Sequence, residues 1–272
     1  MRIVVENKVL KTVEVDYEKD VNVKEFAIPD GITELADESL KYLSLEVESL
    51  YIPASVEVIS PSAFFGEAGN FENLKTIVVE DGNKNYKSES GCLIDIKANA
   101  IILGTENAVI PSGIEKIGFY AFRQRENLTE ITIPATVKEV GPQAFACCHN
   151  LKKVTVLGER TNLDNFCFIA DTKIEEFNLP KNSDYEFIQG ALVKKSCETL
   201  LMITEKGEIT SNVIKLAPFS CVRYFSDLVV PETVVGIEEN AVLLLGGGKL
   251  KVKKDSKAYD YAVKNNLYYE EI

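Results

Sequence analysis

IPATVKEVGPQAFACCHNLKKVTV (Ile133–Val156) is the stretch whose reading decides the fold. Ile133-Pro134 opens it, apolar residues follow at Val137 and Val140, and the small-plus-bulky pair Ala144-Phe145 comes four residues later. The same spacing recurs at Ile28-Pro29/Ile32/Leu35/Ser39-Leu40, Ile52-Pro53/Val56/Ile59/Ala63-Phe64, Ile110-Pro111/Ile114/Ile117/Ala121-Phe122 and Val230-Pro231/Val234/Ile237/Ala241-Val242. Two copies are degenerate. Val156/Leu163/Cys167-Phe168 carries Arg160 at the second apolar slot, and Ile209/Val213/Leu216/Ser220-Cys221 lacks the proline. Such a pattern, written seven times, means a solenoid, because no copy can bury its apolar side except against its neighbours.

Between copies lies a second element, Leu128-x-x-Ile131-x-Ile133, repeated from Leu74, Leu151 and Ile174. Its β-branched, period-two ending predicts a short strand with both apolar groups inward, and the proline after it denies the next ladder donor. The Val-x-x-Ile-x-x-x-Ala-Phe spacing predicts a helical turn or short helix, so stacked strands form a parallel sheet along one face. Positions 110, 133, 156 and 179 are 23 residues apart, but the gaps from 79 to 110 and from 179 to 209 are longer and resemble each other. Asn85–Ile94 aligns at an offset of 99 with Asp184–Val193, and Ile101-Ile102-Leu103 with Leu200-Leu201-Met202. Each insert, near 80–109 and 180–208, carries a glycine turn and then two apolar runs, which predicts a hairpin built out from the solenoid. Residues 1–27 alternate like strands (Ile3, Val5; Val13, Val15; Val21, Val23) and read as an N-terminal cap. At the other end 252–272 reads as a C-terminal cap, with a helix over 254–264 and a last strand at 265–269. Residues 1–272 thus read as one elongated domain, with seven repeats over 28–251.

A net charge of −12 without a basic cluster argues against nucleic acid and against an anionic membrane surface. No stretch approaches the ~18 apolar residues of a membrane-spanning helix, so no membrane insertion is expected. The first twenty residues alternate apolar and polar with no uninterrupted apolar run. As written the chain reads as cytoplasmic, or as cell-surface or secreted where an export signal has been removed. The six cysteines form no disulfide framework. Cys148, Cys167 and Cys221 fall at repeat positions and read as small buried hydrophobes.

The Ile133–Val156 pattern, with its Ala-Phe, a Cys three residues after the Phe and a Leu six after, resembles the BspA-type leucine-rich repeat. The inserts, with Tyr86 and Ser88-x-x-Gly91, and the ending Ser256–Ala262 are similar to that family's insertions and C-terminal segment. The resemblance covers essentially the whole chain. It implies a repeat solenoid of strand-rich α/β class, a curved right-handed leucine-rich-repeat superhelix with a parallel sheet and two inserted hairpins. Members of the family are commonly bacterial, often surface-exposed, and used for adhesion or other protein contacts.

Catalytic readings are poorly served by the residues. His149 is the only histidine and follows Cys147-Cys148, but adjacent cysteines fit zinc geometry poorly and Cys148 sits at a core position. Glu175-Glu176, Glu238-Glu239 and Glu270-Glu271 are adjacent pairs whose side chains diverge. Gly246-Gly247-Gly248 lacks the Gly-Lys-Ser/Thr of a phosphate loop. Acidic stretches at Glu67 to Glu72 and Glu80-Asp81-Gly82-Asn83 match no calcium loop. No catalytic residue, metal or cofactor is assigned. The remaining signal is the outward row of the sheet: Tyr51, Val78, Thr132, Thr155, Asn178, Val229 and Lys251, with Glu130, Lys153 and Glu176 nearby. Its mix of one aromatic, small polar groups and both charges suits a protein or peptide ligand, or a glycan. Tyr51, Thr132, Thr155, Asn178, Glu130, Lys153 and Glu176 are therefore the candidate site residues of a non-catalytic binding module. Two rivals stand beside it: a self-associating structural module, and an enzyme whose site is assembled across repeats.

Overall fold

The computed structural model describes residues 1–16, 20, 23–43, 47–65, 71, 73–170, 173–223 and 226–272, which wind as a strand-rich solenoid of stacked coils. Val21 and most of the Glu67–Glu72 stretch lie outside the described residues. Each regular coil opens with a front strand. Glu130–Ile133, Lys153–Val156 and Glu176–Asn178 pair in parallel at the repeat spacing, with Ile131, Val154 and Phe177 in register. Pleating turns these three inward and their neighbours outward. Phe122, Phe145 and Phe168 then stack ring on ring across three coils, centroids 5.1 Å apart and planes 11° and 7° from parallel. Beside them Ala121, Ala144 and Cys167 are buried where the coil turns a corner.

The helix expected over the Val-x-x-Ile-x-x-x-Ala-Phe stretch is replaced by a two-residue side strand and a corner. Glu139–Val140 pairs in parallel with Lys116–Ile117. At the corner Phe122 N donates to Ala144 O (2.7 Å) and Phe145 N to Cys167 O (2.9 Å), so these donors go to the next coil, while Arg123 N and Ala146 N close single turns onto Tyr120 O and Gln143 O. Tyr120, Gln143 and Phe166 (φ 57°, 53° and 39°) and Gln124, Cys147 and Ala170 (φ 57°, 60° and 62°) stand in the left-handed region twice per coil. Left-handed residues at these intervals cannot continue a right-handed helix. Among the described residues the one α-helix is Lys257–Lys264, capped by Ser256 Oγ accepting from Tyr259 N; the strand Tyr269–Glu271 follows it.

The inserts also depart from expectation. Each contains the expected hairpin, but as part of a three-stranded antiparallel meander that continues the side sheet and does not project from it. Tyr86–Glu89, Cys92–Asp95 and Ala100–Gly104 form the first; Tyr185–Ile188, Ala191–Lys194 and Thr199–Ile203 form the second. Ser90-Gly91 and Gln189-Gly190 make the hairpin turns with positive φ at both residues, the geometry that matches strand twist. Alternate residues of the meanders serve different cores. Leu93 and Leu103 pack with the N-terminal cluster of buried side chains, while Cys92, Ile94 and Ile101 pack with the middle one. In the second meander Leu192, Leu201 and Met202 join the middle cluster, and Ala191, Val193, Leu200 and Ile203 the C-terminal one. Burial on both faces explains the unbroken apolar runs Cys92–Ile94 and Leu200–Ile203.

Meander strands lie in the side sheet, so the front sheet is cut into three patches of three strands. At the N-terminal end the antiparallel pair Arg2–Glu6 and Val9–Glu14 extends the side sheet beyond Glu34–Leu35. Where each meander interrupts the regular coils, a tyrosine hydroxyl replaces the backbone acceptor of the missing strand. Tyr86 Oη accepts from Ile59 N (2.8 Å), and Tyr185 Oη from Leu163 N (3.1 Å). Val140, at the equivalent position in a regular coil, donates to Asn162 O instead (3.0 Å). Burial is the first cause raising both phenols above their usual range.

Removing either hydroxyl strands a buried donor. Tyr86→Phe and Tyr185→Phe are each expected to cost about 1–3 kcal/mol in urea unfolding. Hydrogen exchange should quicken at the Ile59 amide in the first variant and at Leu163 in the second; unchanged exchange would refute the capping role. Phe145→Ala, which opens a gap in the ring stack, is expected to cost about 3–5 kcal/mol by the same measurement.

Candidate functional site

The outward residues of the middle front patch come together as two rows. Glu130, Lys153 and Glu176 are in register, as are Thr132, Thr155 and Asn178. Lys153 Nζ lies 3.3 Å from Glu176 Oε2, and Asn178 Nδ2 donates to Thr155 Oγ1 at 3.4 Å. Exposed pairs of this kind contribute little to stability, ~0–1 kcal/mol, which leaves the rows open to a ligand. Tyr51 is not part of this surface. It is in register with Val78 in the N-terminal front patch, and Val229 and Lys251 are in register in the C-terminal one. The expected continuous row is therefore three separate patches, six of the seven candidate residues falling in the middle one.

The meanders give the middle patch its borders. Glu130–Ile133 and Glu176–Asn178 are the two edge strands of their sheet. Beside the first edge opens a groove of about 340 Å³ lined by Val109, Ile110, Glu130, Thr132, Lys153 and Thr155. Val109 is 68% exposed, and its N donates to Ser90 O at 2.9 Å, so the first hairpin turn holds it against the sheet edge. Beside the second edge lies a groove of about 810 Å³ with Lys152, Lys173, Lys206, Glu175, Asn150 and Phe187 in its walls. Lys173 Nζ donates to Asn150 Oδ1 at 2.9 Å. Val109, Phe187 and Lys206 belong to loops and strands that reach the patch only through the meanders, so no local pattern marked them.

A buried arginine holds each returning loop. Arg125, 0% exposed, donates from Nε to Gly104 O at 2.6 Å. Arg223 donates from Nη2 to Gly207 O at 2.5 Å and from Nη1 to Glu205 O; burial lowers its pKa. Neither was singled out in the sequence. Both occupy corners just after a meander, where main-chain carbonyls turn inward and a guanidinium satisfies several at once.

The Cys-Cys-His run resolves into ordinary packing. Cys148 is buried and its Sγ donates to Phe122 O at 3.0 Å. His149 Nδ1 lies 2.6 Å from Glu126 Oε1, its counterpart one coil earlier. All six cysteines are free, and burial pushes Cys92 and Cys221 up to about 12, far from a thiolate at neutral pH. Tyr51 is raised by desolvation first and then by Glu80, Asp30 and Asp81, so it remains a neutral hydroxyl. Among the described residues no helix is long and apolar enough to cross a membrane.

A family description, BspA type leucine rich repeat region, matches residues 2–92 and 101–213 in six copies. Similar solved structures include a leucine rich cell surface protein from Faecalibacterium prausnitzii A2-165, 18% identical over 88% of this chain and 62% of that one, TM-score 0.48. The pneumococcal vaccine antigen PcpA is 14% identical over 94% of this chain and 70% of that one, TM-score 0.47. A leucine-rich repeat protein from Bacteroides ovatus ATCC 8483 is 18% identical over 92% and 68%, TM-score 0.44. This chain therefore spans about 62% of the first of these structures. A comparison with curated protein sequences finds no match.

One carboxylate on the front side gives a pH test of the coil stack. Glu48 takes Lys24 and Lys75 from the coils on either side, Lys75 at 2.9 Å, and is lowered from 4.5 to about 2, chiefly by the Lys24 hydrogen bond and then by Lys75. A depressed carboxylate contributes stability above its usual pKa and loses it as pH falls through the folded one. The stability difference between the protein and Glu48→Gln is thus expected to be full at pH 6 and to shrink from about pH 4.5 toward 2. A difference independent of pH over that range would show that the bridge does not act through charge.

Proposed function

Because the chain belongs to the BspA-type leucine-rich-repeat family, we propose that it is a non-catalytic module that binds a protein ligand through the middle front patch. The observation that carries this reading is the bracketing of two outward rows between two grooves. Strands of a solenoid are held from behind by their inward residues, so the outward ones are free to be chosen for a partner. Thr132, Thr155 and Asn178 supply neutral donors and acceptors, and Glu130, Lys153 and Glu176 supply alternating charge. Val109 and Phe187 offer apolar contacts in the flanking grooves, where an anchor side chain can be desolvated. The rows stand on a hydrogen-bonded three-stranded sheet, an arrangement that limits the ordering cost of association.

The test is capture with the protein as bait beside Thr132→Arg/Asn178→Arg, against cell lysate, extracellular matrix proteins and a glycan panel. A protein ligand retained by the wild type and weakened at least ~30-fold, or about 2 kcal/mol, by the folded double variant is the expected result. Tyr51→Ala, on a different patch, is expected to bind as the wild type does. Retention of the same ligand by both baits would remove the middle patch from consideration, and retention of glycans alone would replace the protein ligand.

A further inference from the structure

The two meanders are near-copies, and they differ at one place in a way that leaves an opening in the first. In the second meander Tyr185 and Lys194 are cross-strand partners. Lys194 Nζ lies 6.0 Å from the Tyr185 ring centroid and 2.5 Å from Asp164 Oδ2, while Tyr185 Oη donates to Asp164 Oδ1 at 2.8 Å. The lysine stem thus covers the tyrosine face and its ammonium ends on a carboxylate. In the first meander the cross-strand partner of Tyr86 is Asp95, and the residue matching Asp164, next after the strand residue that donates to the tyrosine, is Ser60. Among the described residues no lysine ammonium lies over the Tyr86 ring. In its place is a cavity of about 360 Å³ lined by Tyr86, Phe64, Ile102, Phe119, Asp95 and Lys116.

We propose that this cavity receives the side chain of a lysine presented by a partner polypeptide. The walls are aromatic and aliphatic, which suits a four-carbon stem. Asp95 uses one carboxylate oxygen to accept from Ala98 N at 2.8 Å, and the carboxylate is otherwise placed to take an ammonium over the Tyr86 ring. The rim cation does not oppose entry, because Lys116 Nζ is paired with Glu139 Oε2 at 3.1 Å. Asp37, hydrogen-bonded by Ser60 and Ser62 and held below the usual carboxylate range by them, adds negative charge one coil away. The second meander supplies the template: the same tyrosine, with the same backbone-capping hydroxyl, already holds a lysine of its own chain. The cavity lies on the side sheet and the inference stands apart from the front patch.

The experiment is a titration of the 15N-labelled protein with Nα-acetyl-lysine N-methylamide, followed at the amides of Tyr86, Asp95, Ala98 and Ile102. Saturable shifts at millimolar concentration are expected there, with binding roughly tenfold weaker for the norleucine analogue, which keeps the stem and loses the charge. Ser60→Asp/Asp95→Lys, which rebuilds the internal bridge of the second meander, is expected to abolish the shifts. Asp95→Asn should weaken binding roughly tenfold and serves alone if the double variant does not fold. Absence of saturation, or equal binding of the norleucine analogue, overturns the proposal. Butylamine binding roughly tenfold more tightly than the lysine compound overturns it too, by assigning the cavity to a free amine.

Discussion

Burial of two β-meanders on both faces is the constraint on which the rest of the molecule depends. A plain coil stack has one continuous core and one continuous front sheet. Here Leu93 and Leu103 face one hydrophobic cluster while Cys92, Ile94 and Ile101 face the next, and the second meander repeats the division. Each meander is a wall shared by two cores, so neither neighbouring set of coils can bury its end without it. The front sheet pays for this arrangement by losing its continuity, and the loops that cross the breaks become the borders of the exposed patches.

Interrupting a ladder creates orphan backbone groups, and the chain meets each with a specific side chain. Tyr86 and Tyr185 supply an acceptor to Ile59 N and Leu163 N, where the next side strand would have supplied a carbonyl. Arg125 and Arg223 supply donors to the carbonyls of the loops that return to the front. A buried unsatisfied backbone group costs as much as a lost hydrogen bond, so these four residues are as much part of the meander as its strands. Shorter side chains make the same kind of link in the regular coils, where Asn150 Nδ2 donates to Glu126 O and Thr161 Oγ1 to Val137 O.

The regular parts were legible in the sequence because a single pattern serves them all. The inward rows Ile131/Val154/Phe177 and the corner pairs Ala121-Phe122 and Ala144-Phe145 lie where spacing placed them, and the C-terminal helix is present but begins at Lys257, after the Ser256 cap, and not at 254. Apolar spacing of three and four residues misled at the corners, since a stacked turn and an α-helix bury the same positions. What separates them is the left-handed backbone at Tyr120, Gln143 and Phe166, adopted by residue types that give no warning of it. The continuous apolar runs at Cys92–Ile94 and Leu200–Ile203 carry the signal of two-sided burial, which the reading of an outward hairpin passed over. An outward hairpin would have alternated.

The candidate surface was half legible for a related reason. Thr132, Thr155 and Asn178 were found because the period places them on one face, and they form one row in the fold. Tyr51 obeys the same period but belongs to another patch, since the count of coils says nothing about where a wall stands between them. Val109, Phe187 and Lys206 reach the grooves through contacts between residues far apart in sequence, and such contacts leave no periodic trace. The outward rows and the walls are therefore under different constraints. Any residue compatible with a strand can stand at Thr132 or Asn178 without disturbing the core, whereas Tyr86, Tyr185, Arg125 and Arg223 are fixed by the groups they satisfy. If the outward rows bind a ligand as proposed, a scaffold divided in this way could change that ligand by altering the rows alone, while the walls keep the size and borders of the patch constant.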